Sequence, residues 1–395
     1  MNRCILSGMR VLDFTWMLAG PYATRTLADF GAEVIKIQCA KTLGGVEYNL
    51  GGYFNTWNRN KRSITLDMSH PEAREIALRL TEISDVAIEN FSPRVMSNWG
   101  LDYDSMKEVR PDLIMASMSA MGQTGPWKDF VAYGPTVQAL SGLTYLTSFH
   151  QDAPMGLGYS YADVIAGLYA GLAVLAALEY RDRTGEGQYI DISEYEAACT
   201  LIGPTLLDVS LNDNESLPTG NQGDHLQAAP FGCYRCLGTD AWCVIAVFNE
   251  TEWQALCRVM NHPEWTVQER FSTMSKRKIH AKELDNMLEE WTKRLSPFDL
   301  VKLLQEEDVP AGIVQNAEDI ALDPHLRARD YFVGLEHSVL GMTFSDASPI
   351  RLSDKASAGW KAAPLLGEDN RYVYMELLNF SESKLTSYIE KGVIG

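Results

Sequence analysis

The stretch Met9–Ile37, MRVLDFTWMLAGPYATRTLADFGAEVIKI, decides the fold, because it reads as strand, helix and strand in direct succession. Residues 9–13 predict a short strand, Ala19–Pro21 opens a helix that continues through Leu27, and Glu33–Ile37 predicts the next strand. A unit of this length places its two strands parallel in one sheet.

The same alternation continues over the first two hundred residues. Further strands are predicted at Ser63–Leu66, Val86–Ile88, Leu113–Ser117 and Tyr189–Ile192, and a helix starts after His70. Regular alternation indicates an α/β fold, in which a doubly wound parallel sheet is covered by helices on both faces. No G-x-G-x-x-G follows the first strand, so a dinucleotide site is not predicted.

The pattern changes in the second half of the chain. The polar segment 212–227 predicts a linker or an active-site flap. A hairpin over Gly232–Phe248 and the helical segments after it predict a smaller α+β domain over 228–335. The large domain is then expected to consist of residues 1–211 and 336–395.

Composition restricts the classes of partner. The chain has 52 Asp and Glu against 34 Lys and Arg, a formal charge of -18, which disfavours binding to nucleic acids or anionic membranes. Cys233 and Cys236 form a CxxC within the predicted hairpin, which favours buried thiols over a metal or redox site. The N-terminal segment lacks a continuous apolar run, and the run Val164–Leu178 is too short to span a membrane. We therefore expect a cytoplasmic protein with no metal site.

Asp163 is the residue with the greatest chemical interest. It lies in Gly-Tyr-Ser-Tyr-Ala-Asp, directly ahead of a predicted helix, Val164–Tyr180, that is rich in Gly and Ala. Local sequence favours an N-cap, because an Asp oxygen accepts a free N–H of the first turn. A carboxylate kept ionised at a helix start can also attack an activated acyl carbon. From the residues alone both interpretations stay open.

Motifs in a fixed order extend these observations to nearly the whole chain. They are Leu6–Thr15, Ala19–Pro21, Asp29–Ile37, Asn60–Asp67, Glu89–Phe91, Gly122–Pro126, Leu175–Gln188, Gly220-Asn221, Ala229–Tyr234 and Ala363–Glu368. Together they resemble the family III CoA-transferases, the CaiB/BaiF group that includes formyl-CoA and carnitine CoA-transferases.

The resemblance implies a fold, an assembly and a reaction. It implies a large domain built from both chain ends, a smaller middle domain, and dimers of interlocked, ring-shaped protomers. The reaction, of EC 2.8.3 type, moves CoA from an acyl-CoA donor to a carboxylic acid acceptor. Asp163 matches the family nucleophile, which forms a mixed anhydride and then an aspartyl-CoA thioester. CoA esters are substrates, and no permanently bound cofactor is implied.

The resemblance also implies substrate contacts. Leu66, Met68, Asn90 and Phe91 match positions along the adenine and pantetheine path, although packing at the sheet end explains Leu66 and Met68 equally well. The positions expected near the reacting carbonyl and in the active site are Trp16, Leu18, Ala19 and Tyr133. For Tyr133 the alternative is a buried core tyrosine whose hydroxyl is hydrogen-bonded.

This sequence departs from the family pattern at positions that bear on which substrate is bound. Formyl-CoA transferase has Gln at the position of Leu18, and its glycine-rich flap is absent after Gly220, so formyl and oxalyl groups are disfavoured. Two family arginines fall on Cys39 and Asn98. The cations left for the CoA phosphates are Lys36, Lys41, Lys61, Arg62 and Arg94.

Other functions compete with the transferase. A racemase of the same superfamily needs a second base, and His150, the nearest histidine, is expected to be exposed. A subunit of a heteromeric (aryl/alkyl)succinate CoA-transferase and a pure acyl-CoA binding protein are the remaining alternatives. We expect a homodimer, with a heteromer containing a related subunit as the alternative.

Overall fold

In the computed structural model the described residues are 4–41, 45–213, 217–218, 220, 227–353 and 359–395. The chain divides into two compact units, Met1–Leu143 with Gly156–Asn214 and His325–Gly395, and Thr144–Met155 with Glu215–Pro324. The domain limits set from the sequence differ from these in two places, because residues 325–335 group with the larger unit and Thr144–Met155 with the smaller one. Most of the linker or flap expected at 212–227 lies outside the described residues.

The helices and strands follow one another along the whole described chain. The strands are β1 Arg10–Asp13, β2 Glu33–Gln38, β3 Arg62–Thr65, β4 Val86–Glu89, β5 Ile114–Ser119, β6 Tyr189–Ser193, β7 Phe231–Arg235, β8 Trp242–Ala246, β9 Ala311–Ile313, β10 Phe332–His337 and β11 Gly341–Asp346. The helices are α1 Ala19–Asp29, α2 Gly52–Asn58, α3 Ala73–Glu82, α4 Arg94–Asn98, α5 Tyr103–Val109, α6 Gly134–Leu140, α7 Leu143–Leu146, α8 Tyr161–Thr184, α9 Glu194–Cys199, α10 Gly203–Asn212, α11 Glu250–Val259, α12 Met274–Ile279, α13 Ala281–Thr292, α14 Pro297–Glu306, α15 Ala317–Leu322, α16 Pro324–Ala328 and α17 Glu382–Glu390. A π-helix covers Tyr372–Leu377.

The larger unit is built on a six-stranded parallel sheet of order β3-β2-β1-β4-β5-β6. Alternate residues of each strand face opposite sides: Val11 and Val34 face α1 and α8, whereas Leu12 and Ile35 face α3, α17 and the π-helix. Both faces are therefore buried, which confirms the doubly wound α/β fold predicted from the sequence.

The C-terminal segment completes this unit. Asp369 accepts a hydrogen bond from the Ser63 amide, and the Asp67 amide donates to the Val393 carbonyl. Tyr374 is fully buried in the core of that face, and its hydroxyl donates to the carbonyl of Thr65. The large domain is thus built from both chain ends, as expected.

The smaller unit contains the antiparallel sheet β7-β8-β9 with helices α11 to α15, an α+β arrangement. The predicted hairpin is confirmed, with Cys233 on β7 opposite Val244 on β8. The sequence analysis missed the hairpin β10-β11, which belongs to the larger unit.

Helix α8 has an inner face of small residues, which includes Gly167, and packs closely along α1. A Cβ at Gly167 would lie 2.7 Å from the carbonyl oxygen of Ala19, so only glycine permits this approach. By length and composition alone α8 could cross a membrane, a test that the core helix of a soluble protein also passes.

Candidate active site

The chain connections reverse direction between β1 and β4, and crevices at such switch points are where open α/β sheets bind ligands. Here the segment after β1 meets the residue after β4. The Asn90 side chain accepts a hydrogen bond from the Trp16 amide at 2.8 Å and donates to the Trp16 carbonyl at 3.0 Å. Asn90 therefore fixes the backbone of Trp16 across the switch point.

The backbone of segment 14–20 is held in an unusual conformation. Met17 has a φ of 61°, a left-handed value that a side chain such as methionine rarely adopts. Gly20 lies so close to Thr15 that an added Cβ would overlap the Thr15 side chain. Such a conformation persists only where surrounding contacts determine it.

A cavity of about 600 Å³ opens beside this segment, and its lining is mainly apolar. Among the lining residues are five of the predicted substrate positions: Trp16, Lys36, Leu66, Met68 and Phe91. The cavity also contains Lys41, whose ammonium lies 2.6 Å from Asp67 and whose side chain is 73% exposed. An apolar cavity with a cation at its rim can accept a ligand that has an apolar body and an anionic end.

Asp163 lies in the first turn of α8, and the structure corrects one of its interpretations. The N-cap of α8 is Ser160, three residues earlier. The Ser160 hydroxyl donates to Asp163 Oδ2, and the backbone amides of Asp163 itself and of Ala19 stabilise the ionised carboxylate. The carboxylate therefore interacts with the first turn of its own helix and with the N-terminus of α1.

Gly134, the first residue of α6, also packs closely against this carboxylate. A Cβ at this position would overlap both Ser160 Oγ and Asp163 Oδ2. The segment 16–19 thus contacts the cavity through Trp16 and the Asp163 carboxylate through Ala19. One short segment therefore connects the Asp163 carboxylate to the cavity.

Burial dominates the electrostatics around Asp163. It raises the pKa of Asp163, and the Ser160 hydroxyl and the Ala19 amide oppose this by stabilising the ionised form. Burial, together with the Asp163 carboxylate, raises the pKa of Glu194 to about 8. Partial burial, followed by the Asp163 charge, raises the pKa of Tyr53 to about 12. Glu194 and Tyr53 therefore stay protonated at neutral pH.

Four further residues considered in the sequence analysis have clear positions in the structure. Leu18 is the buried N-cap of α1. Tyr133 is the N-cap of α6 and is 54% exposed, so the alternative of a buried core tyrosine is wrong. Arg94 is 76% exposed and pairs with Asp129 at 3.5 Å. His150 is exposed, as predicted, and lies 3.3 Å from Asp152.

Three of the cations considered for the CoA phosphates are engaged within the protein. Lys36 and Lys61 are buried against Asp13, and Arg62 pairs with Glu33 and Asp369. The structure does not present these three as exposed cations for the CoA phosphates, because Lys36 and Lys61 are buried and Arg62 is held between two carboxylates. Among the five, Lys41 and Arg94 have side chains that are mostly exposed.

The sequence analysis missed Ser160, Gly134, Tyr53 and Glu194 as neighbours of Asp163. The spacing Ser160-x-x-Asp163 was an available signal, because an N-cap serine followed three residues later by an acid marks a helix start. Gly134, Tyr53 and Glu194 come from α6, α2 and α9, and nothing in their local sequence brings them to α8.

Comparisons with known proteins show the family to which the chain belongs. The sequence profile of CoA-transferase family III matches residues 6–370. The chain is 33% identical over 399 residues to a succinyl-CoA–D-citramalate CoA-transferase of Chloroflexus aurantiacus, covering 98% of each chain. It is 30% identical to a formyl-CoA:oxalate CoA-transferase of Rhodopseudomonas palustris, covering 98% of this chain and 97% of that one.

A solved structure supports the same relationship. A CaiB/BaiF family protein from Brucella suis superposes with a TM-score of 0.86 at 31% identity. The match covers 95% of this chain and 100% of that one, so it includes both compact units.

Proposed function

Since this chain belongs to CoA-transferase family III, we propose that it transfers CoA from an acyl-CoA donor to a carboxylic acid through a covalent intermediate on Asp163. Its activity as a CoA-transferase follows from the family and from relatives that match along their whole length. The nucleophile, the substrates and the assembly are the parts that we propose.

The observation that carries the proposal is the environment of the Asp163 carboxylate. The Ser160 hydroxyl donates to it, and the amides of Asp163 and Ala19 stabilise its charge, which favours the ionised, nucleophilic form against the effect of burial. The same donors would stabilise the oxyanions that form when this carboxyl group is attacked in turn. The Ala19 amide also joins the carboxylate to the segment that lines the cavity.

The proposed reaction is a sequence of acyl exchanges. Asp163 attacks the donor thioester carbon, the CoA thiolate leaves, and a mixed anhydride forms. The thiolate attacks the Asp163 carbonyl carbon of that anhydride, releases the donor carboxylate and gives an aspartyl-CoA thioester. The acceptor carboxylate attacks this thioester and releases the thiolate, which then takes the acceptor acyl group and restores the Asp163 carboxylate. Protons balance without a general base or a cofactor.

The cavity beside Trp16 is the proposed position of the pantetheine arm. Its apolar lining, with Leu66, Met68 and Phe91, suits the uncharged part of CoA. Lys41 and Arg94 are the exposed cations that we propose for the CoA phosphates.

The acids named for the two relatives, citramalate and oxalate, are both dicarboxylic acids. We therefore propose a small dicarboxylic acid as acceptor and succinyl-CoA as the first donor to test. The expected flap after Gly220 lies outside the described residues, so the argument against formyl-CoA rests on Leu18.

We also propose a homodimer that works in the cytoplasm. A heteromer with a related subunit is the alternative assembly.

Intact mass after incubation with succinyl-CoA and other acyl-CoAs tests the nucleophile. A CoA-sized adduct that maps to the Asp163 peptide, and that hydroxylamine removes, is the expected result. Asp163→Asn should abolish it, whereas Asp182→Asn, an exposed acid near the other end of α8, should leave it intact.

An adduct that persists in Asp163→Asn as well as in Asp182→Asn would contradict the assignment of Asp163. Exchange of the α-proton of an acyl-CoA into deuterated water, with no adduct from any ester, would favour the racemase instead.

A further inference from the structure

Three buried, charged side chains contact residues 15–21, which we call the active-site segment. Asp13 ends β1, Lys36 lies on β2 and Lys61 precedes β3, and each of these side chains is at most 4% exposed. Lys61 Nζ lies 3.0 Å from Asp13 Oδ2, and Lys36 Nζ lies 3.8 Å from Asp13 Oδ1. The cluster therefore sets two ammonium groups against one carboxylate.

Charge balance does not explain the second ammonium. Burial raises the pKa of Asp13, but Lys36 and Lys61 outweigh it and hold the pKa at about 2, so this carboxylate is ionised. Lys36 alone would neutralise it. Burial of a further ammonium is strongly unfavourable unless its hydrogen bonds are all made. Burial accordingly lowers the pKa of Lys61 from 10.5 to about 7.

The hydrogen bonds of Lys61 account for its presence. An ammonium has three N–H donors, and the structure supplies three acceptors. They are Asp13 Oδ2 at 3.0 Å, the Pro21 carbonyl at 3.1 Å and Asn58 Oδ1 at 2.8 Å. Lys61 thus joins the end of β1, the first turn of α1 and the last residue of α2.

The same cluster holds the other end of the active-site segment. Thr15 donates to Asp13 Oδ1 through its amide at 2.8 Å and through its hydroxyl at 2.5 Å. Lys36 Nζ donates to the Thr15 carbonyl at 2.6 Å. Residues 16–20 lie between these two fixed points, and they include Trp16 in the cavity wall and the Ala19 amide on Asp163.

We propose that Lys61 is a positioning residue for acyl transfer, which fixes segment 15–21 so that Trp16 and the Ala19 amide stay aligned with Asp163. The inference rests on the proposed function for its catalytic consequence. The geometric part, the fixing of the segment, stands on the hydrogen bonds alone.

Protonation gives this role a signature in pH. The charged groups around Lys61 are Asp13 of β1, Lys36 of β2 and Arg25 of α1. A neutral amine has only two N–H donors for three acceptors, so transfer should fall as pH rises through the pKa of Lys61. Stability moves the other way. Between pH 7 and 10.5 the unfolded chain holds this proton and the folded chain has lost it, so the free energy of unfolding contributed by Lys61 rises with pH.

The experiment compares Lys61→Met with Lys107→Met, an exposed lysine on α5. Lys61→Met keeps the chain length and leaves Asp13 paired with Lys36, so the fold should survive. We expect its crystal structure to show segment 15–21 displaced by about 0.5 Å or more, beyond the tolerance of a catalytic geometry. Transfer from succinyl-CoA to D-citramalate should lose about tenfold or more in kcat, and its alkaline limb should disappear.

Asn58→Asp is the second variant, which keeps the shape and adds a carboxylate at the acceptor 2.8 Å from Lys61. It makes the cluster electroneutral with both lysines charged. The alkaline limb of kcat should therefore move to higher pH by about one unit or more.

The outcomes separate this inference from the proposed function. A segment that does not move in Lys61→Met overturns the inference, as does a displaced segment with unchanged kcat. An alkaline limb that is the same in wild type and Asn58→Asp also overturns it. Wild-type protein that transfers CoA from no ester contradicts the proposed function, and the crystal structures then decide the positioning by themselves.

Discussion

Gly134 is the residue on which the position of the Asp163 carboxylate depends most directly. Its φ is not in the left-handed region, so alanine fits the backbone, but the added Cβ would overlap Ser160 Oγ and Asp163 Oδ2. Ser160 Oγ and Asp163 Oδ2 are ends of side chains and can rotate away, whereas Ser160 Cβ, at 2.7 Å, can move only with its backbone. The added Cβ should therefore displace the carboxylate first and strain the start of α8 to a smaller extent.

Gly134→Ala should accordingly separate activity from stability. We expect kcat for CoA transfer to fall about 100-fold, because a displacement of about 1 Å at a reacting group has effects of this size. The free energy of unfolding should fall by no more than about 1–3 kcal/mol, the usual effect of overpacking at one site. Gly203→Ala, where an added Cβ meets nothing within 4 Å, is the matched control. A Gly134→Ala enzyme with wild-type kcat would contradict the position assigned to Asp163.

Glu194 gives a prediction for the pH dependence of stability. Its pKa is raised from 4.5 to about 8, chiefly by burial. Between these pH values the folded chain keeps a proton that the unfolded chain has lost, so this contribution to the free energy of unfolding falls as pH rises. Glu194→Gln removes the penalty of ionisation. At pH 8 the variant should be more stable than wild type by about 4 kcal/mol, and near pH 4.5 the difference should nearly vanish.

Urea unfolding at both pH values measures this difference. Glu196→Gln, an exposed acid two residues further along α9, serves as the control and should behave as wild type at both. Equal stability of Glu194→Gln and wild type at pH 8 would show that Glu194 is not held protonated by the fold.

At the scale of the element, the packing of α8 against α1 links the fold to the site. The two helices approach so closely at Gly167 that a Cβ would lie 2.7 Å from the Ala19 carbonyl oxygen. That oxygen belongs to the backbone, which cannot rotate away. The residue that would be displaced is also the one whose amide contacts Asp163.

Gly167→Ala should therefore lower both stability and activity. Overpacking of this kind is unfavourable by about 1–3 kcal/mol. The control lies one turn further along the same helix, at Gly171, where an added Cβ meets nothing within 4 Å. Gly171→Ala should be neutral or more stable by up to about 1 kcal/mol, from helix propensity. Equal urea midpoints for the two variants would contradict the close helix contact.

The parallel strands could be predicted from the sequence because each is a short apolar run in regular alternation with helices. The hairpin β10-β11 was missed for a physical reason. On β11 Phe344 and Met342 are exposed, so no buried apolar face marks this strand, and on β10 only Leu335 and His337 are buried. The ribbon is held by distant charges instead, since Asp346 pairs with Arg25 at 3.0 Å and with Arg59 at 3.0 Å. Ion pairs between residues about three hundred positions apart leave no local pattern.

The sequence predicted the candidate site less completely than the parallel sheet. Asp163 and five of the residues that line the cavity were identified from motifs in the sequence. The buried roles of Lys36 and Lys61 were not, because a lysine in a strand reads as a surface charge until its neighbours are known. The sheet order decides which residues of β1, β2 and α2 approach one another. A single sequence does not specify that order.

At the scale of the whole molecule, the larger unit exposes a set of apolar side chains on α8 and α10. They are Leu168, Tyr169, Leu172, Leu175, Leu206, Leu207, Val209 and Leu211. Soluble monomers rarely leave large contiguous apolar surfaces uncovered. This apolar surface could be buried against a second copy of the chain or against a lipid surface. The formal charge of -18 disfavours an anionic membrane.

We therefore expect the purified protein to have the mass of two chains by light scattering during size exclusion. Leu172→Lys and Leu207→Lys place a charge on side chains that are 63% and 58% exposed in the single chain, and each should shift the mass toward one chain. A lysine buried at a subunit contact without a partner is unfavourable by several kcal/mol or so, enough to dissociate a dimer at micromolar concentration. Val267→Lys, at an 81% exposed position in the smaller unit, should leave the mass unchanged. A wild-type protein that runs as one chain, and that cosediments with neutral lipid vesicles, would replace the dimer by a membrane contact through α8.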